Sequence, residues 1–91
     1  MARDEAIKLA ADVNGWDLAD DAKSISKEFE FKDFKEAMAF INKVAEVAEE
    51  QQHHPDIYCF YNKVKLELST HAIKGLSNND FIIAARINKL A

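Results

Sequence analysis

Apolar positions along this chain change period several times, and each change marks an element. Residues 3–13 carry Ile7, Leu9, Ala10 and Val13, and Asn14-Gly15 is a stop signal, so a short helix is expected. Trp16 and Leu18 begin a short strand, and Asp20-Asp21 reads as a turn. From Ser24 the period becomes two. Ile25, Phe29 and Phe31 fall on one side, and Ser24, Ser26, Glu28 and Glu30 on the other, with Lys27 breaking the apolar side. That alternation predicts a half-buried strand.

Helical spacing returns over 33–51. Asp33 is the expected N-cap, with Glu36 three residues on to complete a capping box. Phe34, Ala37, Met38, Ile41, Ala45 and Ala48 form the expected inward stripe, widened by Phe40, Val44 and Val47. The apolar arc covers about 180°, against the minimum of about 100° that one sheet contact requires. Two readings follow: a deeply seated helix, or a helix with a second packing partner such as another subunit.

Pro55 disfavours helix at His54, so His53 and His54 lie where the helix exits toward a strand. Strands are expected over 57–61 and 64–70, joined by a two-residue turn at Asn62-Lys63. That hairpin sets Tyr61 opposite Val64, Cys59 opposite Leu66 and Ile57 opposite Leu68, all side chains suited to a core. Extended outward, it sets His54 opposite His71, where opposed α-carbons lie about 4.5–5.5 Å apart; with Pro55 next to His54, the expectation is proximity of the two and not a paired rung. Parity places His71 with Lys65, Glu67 and Ser69, on the second face shared by Tyr58 and Phe60. Gly75 breaks the chain. Ser77 is then an N-cap with Asp80 three residues later, and Phe81, Ile82, Ala84, Ala85 and Leu90 make a last helix. The sum is an α+β fold: a four-stranded antiparallel sheet with three helices packed on one face.

Composition narrows the classes. A chain of 91 residues, 48% hydrophobic and 31% charged, suits a single domain over 1–91 with one modest core. The net charge of −4 and the lack of a dense Lys/Arg cluster argue against direct nucleic-acid binding. No apolar run approaches the roughly 20 residues of a membrane span. The N-terminus lacks the order of a signal peptide, and the lone Cys59 suits a reducing compartment, so a cytoplasmic location is expected.

The chemistry concentrates in one region. All three histidines, His53, His54 and His71, fall within the segment that the hairpin folds together. Zinc would need about four ligands in a tetrahedron. Adjacent His53 and His54 can hardly share one metal, and Cys59 lies on the other strand face. As a nucleophile Cys59 lacks an activating partner. General acid–base catalysis fits best, because imidazole exchanges protons near neutral pH and a helix C-terminus favours the imidazolium.

The run Glu49-x-x-x-His53-His54-Pro55, followed by Tyr61, His71 and Asp80, resembles the signature of the pterin-4a-carbinolamine dehydratases. Gly15-Trp16, Phe31-Lys32-Asp33-Phe34, Tyr61-Asn62-Lys63-Val64, Ser69-Thr70-His71 and Gly75-Leu76-Ser77 extend the likeness from about residue 6 to 88. The resemblance implies the same α+β fold and dehydration of 4a-hydroxytetrahydropterin to quinonoid dihydropterin and water. That reaction supports recycling of tetrahydrobiopterin, the cofactor of aromatic amino acid hydroxylases. It implies no metal or organic cofactor. By the resemblance His53 and His71 are the acids, and His54 binds the pterin and assists as base. Pro55, Thr70, Ala72 and Ile73 match positions lining the pterin pocket. Glu49 matches the acidic position one turn before the pair, in the substrate-binding set, where it would orient His53. Asp80 matches the last signature position, and its bland reading is a helix-capping carboxylate.

Two departures bear on substrate affinity and preferred pterin: Ile57 stands where many members carry Trp, and Gln52 replaces a common acidic residue. The resemblance also implies homo-oligomers, dimers or tetramers built from helix packing. Two alternatives accompany the dehydratase reading. One is a protein-binding role as dimerisation cofactor of a transcription factor; the other is a pterin dehydratase in molybdenum-cofactor metabolism.

Overall fold

The alternation that begins at Ser24 forms the second strand of a four-stranded sheet. In the computed structural model, which describes residues 1–91, the elements run α1 (Arg3–Asp12), β1 (Asp17–Leu18), β2 (Ile25–Glu30), α2 (Phe34–Gln51), β3 (Asp56–Phe60), β4 (Lys63–Leu68) and α3 (Asn78–Asn88). A single 3-10 turn, His71–Ile73, lies between the last two. The sheet is antiparallel throughout, in the order β1-β2-β4-β3. Its helix-facing side carries Ile25 and Phe29 from β2 and Val64, Leu66 and Leu68 from β4, all buried. The fold is therefore α+β, with three helices over one face of a four-stranded sheet. No helix is long and apolar enough to cross a membrane.

Lys27 shares the face of Ile25 and Phe29, and its amine is used there. It donates to Asn14 O at 3.0 Å and Asn88 Oδ1 at 2.9 Å, and sits 4.8 Å from the Phe29 ring centre. Asn88 also accepts from Trp16 Nε1 at 3.0 Å and donates to Asn14 O at 3.1 Å. One amide thus ties the end of α3 to the end of α1.

Helix α2 turns a different stripe inward from the one expected. Ala37, Phe40, Val44, Val47 and Ala48 are its buried residues. Phe40 packs against Phe29 and Phe31, with ring centres 4.7 and 4.9 Å apart. Phe34, Met38 and Ala45 are exposed and Ile41 half-buried. Two apolar stripes lie side by side on this helix, and periodicity alone cannot say which meets the sheet. Asp33 caps the helix as expected, accepting from Glu36 N at 2.9 Å, but the Glu36 carboxylate accepts from Lys32 N at 3.1 Å instead of from Asp33 N, so the expected capping box is not closed. In α3 the buried face is Asp80, Phe81, Ile83, Ala84 and Ile87, whereas Ile82 and Ala85 point outward.

The β3–β4 hairpin turns one residue earlier than expected. Its ladder pairs Phe60 with Lys63, Cys59 with Val64 and Ile57 with Leu66, so Tyr61 and Asn62 make the turn. Tyr61 takes a positive φ of 54°. Asn62 is fixed to the end of β2, accepting from Phe31 N at 2.8 Å and donating its side-chain amide to Phe31 O at 2.9 Å. Those two bonds oblige Asn62 to close the turn instead of opening it with Lys63. The register moves by two residues, so each side chain keeps its face. His54 and His71 are not cross-strand partners, since the ladder stops at Asp56 paired with Glu67. Every residue of β3 is exposed, including Ile57 and Cys59, because β3 is an edge strand and the buried helix-facing side chains belong to β2 and β4.

Candidate active site

Two chain reversals build the site. At the end of α2, Gln52 adopts the left-handed conformation, φ 52° and ψ 42°. The His53 N–H then reaches back to Ala48 O at 3.1 Å, closing the helix as a glycine cap would. Pro55 is buried and starts the run into β3. Opposite, Thr70 and Gly75 form an isolated bridge beyond β4, with Thr70 N donating to Gly75 O at 2.7 Å. The chain between them makes the 3-10 turn, closed by Lys74 at φ 52°. His71 is the first residue of that turn.

A cavity of about 380 Å³ opens between the two reversals. Gln52 through Asp56 line one side and Ser69 through Ala72 the other. All three histidines therefore meet at one cleft, brought there by the start of β3 and the end of β4. Its volume lies in the range of small-molecule sites, roughly 300–1,000 Å³. Eight of its nine lining residues are not hydrophobic, so a bound ring would find polar groups around it as well as their apolar stems.

The imidazoles stand in three different settings. His53 Nε2 lies 2.5 Å from Asp80 Oδ1; the His53 side chain is 15% exposed and that of Asp80 is 0%. His54 Nε2 lies 2.5 Å from Glu49 Oε2, with both side chains mostly exposed. His71 is exposed on the 3-10 turn, and no hydrogen bond or ion pair engages its ring. One imidazole is thus held by a buried carboxylate, one by a solvated carboxylate, and one is free.

Asp80 is the residue whose place the sequence under-read. It caps α3 in a capping box with Ser77, as expected of a carboxylate three residues beyond a Ser N-cap. It is also fully buried beneath the cleft. Oδ2 accepts from Ser77 N at 3.0 Å and from the Thr70 hydroxyl at 2.8 Å, while Oδ1 faces His53. Burying a carboxylate is costly unless it is well paired, and three donors surround this one. The signal that could have found it is the capping box itself, which points the carboxylate back toward the segment before α3, where Thr70 and His71 lie.

Other residues fall as follows. Glu49 partners His54 and not His53, because the left-handed Gln52 takes His53 off the helical face that Glu49 shares with position 53. Pro55, Thr70 and Ala72 line the cavity, but the Thr70 hydroxyl is already engaged with Asp80 and Ser77. Ile73 is exposed on the 3-10 turn, outside the cavity lining. Asp56 and Ser69 line the cavity and were not singled out by the sequence; they flank the His-His-Pro and Thr-His runs. No group of three His, Cys, Asp or Glu side chains converges as a metal site; the Nε2 atoms of His53 and His54 are each turned to a separate carboxylate.

Known proteins resemble this chain along nearly its whole length. A family model for pterin 4 alpha carbinolamine dehydratase matches residues 1–90. A provisionally named pterin-4-alpha-carbinolamine dehydratase of Nitrosospira multiformis is 46% identical over 90 residues, which cover 99% of this chain and 78% of that protein. The crystal structure of a transcriptional coactivator/pterin dehydratase from Brucella melitensis matches with a TM-score of 0.94 and 32% identity, covering 100% of this chain and 97% of that one. A pterin dehydratase-like protein, identified as a RuBisCO assembly factor in the alpha-carboxysome, shares the fold with a TM-score of 0.73 and 24% identity, covering 86% and 90% of the two chains. The chain belongs to the pterin-4a-carbinolamine dehydratase family.

Proposed function

We propose that this protein, as a single dehydratase domain over residues 1–91, converts 4a-hydroxytetrahydropterin to quinonoid dihydropterin and water. It would do so in tetrahydrobiopterin recycling, by histidine general acid–base catalysis. The reaction breaks the bond between the 4a carbon and its hydroxyl oxygen. An acid protonates that oxygen so that it leaves as water, a base takes the proton from the neighbouring ring nitrogen, and the nitrogen's electrons form the new C=N bond. The carrying observation is the convergence of His53, His54 and His71 on one cleft of about 380 Å³.

The three settings suggest a division of labour. His53, backed by Asp80, and the unpartnered His71 stand on opposite sides of the cleft and are the two acids in this reading. His54, tied to Glu49 at the rim, binds the pterin and assists as base. Pro55, Thr70 and Ala72 frame the ring in the gap between the two reversals, and Ile73, outside that lining, drops from the set.

The protein acts as a homo-oligomer in this reading. Phe34, Met38 and Ala45 form an exposed stripe on α2, continued by the half-buried Ile41. The free edge of β3 adds exposed Ile57 and Phe60. A second copy is the partner that would cover such surfaces.

The deciding assay supplies carbinolamine generated by a hydroxylase and follows its dehydration. His53→Ala and His71→Ala are each expected to lose on the order of 10²–10⁴-fold in rate. Wild-type protein that fails to accelerate the dehydration, or both variants at wild-type rate, overturns this reading.

A further inference from the structure

We propose that Thr70 and Ser77 are positioning residues whose hydroxyls form a one-way relay onto Asp80, fixing His53 with its proton on Nε2 and making His53 Nδ1 the atom that exchanges protons in the cleft.

The argument is one of donor counting. An ionised carboxylate only accepts hydrogen bonds. Asp80 Oδ2 is 2.8 Å from Thr70 Oγ1, so the single Thr70 hydroxyl proton points at Asp80. Thr70 Oγ1 is also 2.7 Å from Ser77 Oγ. With its own proton committed, Thr70 accepts there and the Ser77 hydroxyl donates. The direction is therefore Ser77 to Thr70 to Asp80. Ser77 N–H, at 3.0 Å, fills the same Oδ2. That oxygen is occupied by two donors, and Oδ1 is left for His53 Nε2 at 2.5 Å.

The consequence lies in the imidazole. Nε2 must carry hydrogen to meet a carboxylate oxygen, whether the ring is neutral or charged. Only Nδ1 can then gain or lose a proton. His53 Nδ1 has no hydrogen-bond partner among the protein groups, and it is not a buried orphan. The ring lines the cavity, so its free edge opens there. Neither hydroxyl is offered to a ligand; each holds the orientation of the next group. His54 lacks such a backing, since Glu49 is exposed and nothing fixes its second oxygen. The relay therefore distinguishes the two adjacent histidines. Its kinetic part rests on the dehydratase reading, and its tautomer part does not.

The test is ring-nitrogen NMR on the full chain carrying 15N-histidine, without substrate, at a pH of about 8.5 where imidazole is neutral. His53 is expected in the Nε2–H form. Thr70→Val is expected to spread His53 over both tautomers and to lower kcat about tenfold, by analogy with outer-shell partners of catalytic histidines, with KM held within about twofold. Thr70→Ser, which keeps the hydroxyl, should restore both. Ser77→Ala, which frees the Thr70 rotor and also removes the side-chain cap of α3, leaves Thr70's own bond to Asp80 in place and should shift the tautomer ratio in the same direction by less. Wild-type His53 with its proton on Nδ1, or in an even mixture, overturns the proposal. So does a Thr70→Val protein with the wild-type tautomer and kcat. Should Thr70→Val not fold, the wild-type spectrum and Ser77→Ala decide. A protein with the expected tautomer that dehydrates no carbinolamine supports the relay and overturns the dehydratase reading instead.

Discussion

Asp80 closes the first turn of α3 with one carboxylate oxygen and holds the ring of His53 at 2.5 Å with the other. Asp80→Asn keeps the shape and changes the proton logic. The amide oxygen satisfies Ser77 N–H and the Thr70 hydroxyl, which turns the amide NH₂ toward His53. His53 must then accept at Nε2 and carry its single proton on Nδ1, and the imidazolium, protonated at both nitrogens, loses the carboxylate that stabilises it. The expected result is a kcat lowered on the order of 10²–10⁴-fold, with a stability loss of about 1–2 kcal/mol. Steady-state kinetics and urea melts read the two effects; a variant with wild-type kcat refutes the role.

A reaction in which imidazoles supply both the acids and the base depends on pH wherever histidine titrates, between about pH 5 and 8. The log kcat profile should bend within that window for wild type. Removal of the His71 ring by His71→Gln should remove one bend and leave the other. A profile flat across the window excludes histidine as both acid and base.

Phe34, Met38 and Ala45 stand exposed along α2 beside Ile41, which packs partly on the core. A partly exposed methionine in such a row is a natural anchor for a second helix. Wild-type protein at micromolar concentration should scatter light as a dimer or larger. Met38→Asp should lower the mass toward the monomer while far-ultraviolet circular dichroism stays unchanged. A monomeric wild type removes the oligomer from the reading.

The junction at Asn88 carries structural load away from the cleft. Asn88→Leu deletes its bonds to Lys27, Trp16 and Asn14 and leaves the Lys27 amine with Asn14 O alone. A loss of about 2–3 kcal/mol is expected, read as a lower urea midpoint. Gly15 sits beside this junction at φ 81°, and an added Cβ would meet Lys27 Cε at 2.8 Å. Gly15→Ala should therefore cost a further 1–2 kcal/mol or about that, and neither change should alter KM.

Much of this was legible in the letters. Period two gave β2, the capping signals at Asp33 and Ser77 gave the starts of α2 and α3, and Pro55 put His53 and His54 at a helix exit. The meeting of the histidines was also readable, although by a route that differs in detail. The expected register is off by two, because Asn62 is claimed by Phe31 and the turn falls one residue earlier, yet the expected proximity of His54 and His71 at one cleft is found. Face assignment survived that error because a shift of two preserves parity. What could not be read was which of two neighbouring stripes on α2 meets the sheet, or that β3 lies at the edge. Both depend on where other elements end up. The partner of Glu49 was hidden for a local reason: a left-handed Gln52 breaks the helical spacing on which that inference relied. Asp80 was placed correctly as a cap, but a cap motif says nothing of what stands on the carboxylate's far side.

Because the carboxylate that starts α3 is the same one that steadies His53, the proposed acid and a helix end share a hinge pin. Warming that loosens the opening coil of α3 should extinguish turnover while the strands remain assembled. Thermal inactivation would then begin several degrees ahead of the calorimetric melt, and crossing back should revive the activity without refolding.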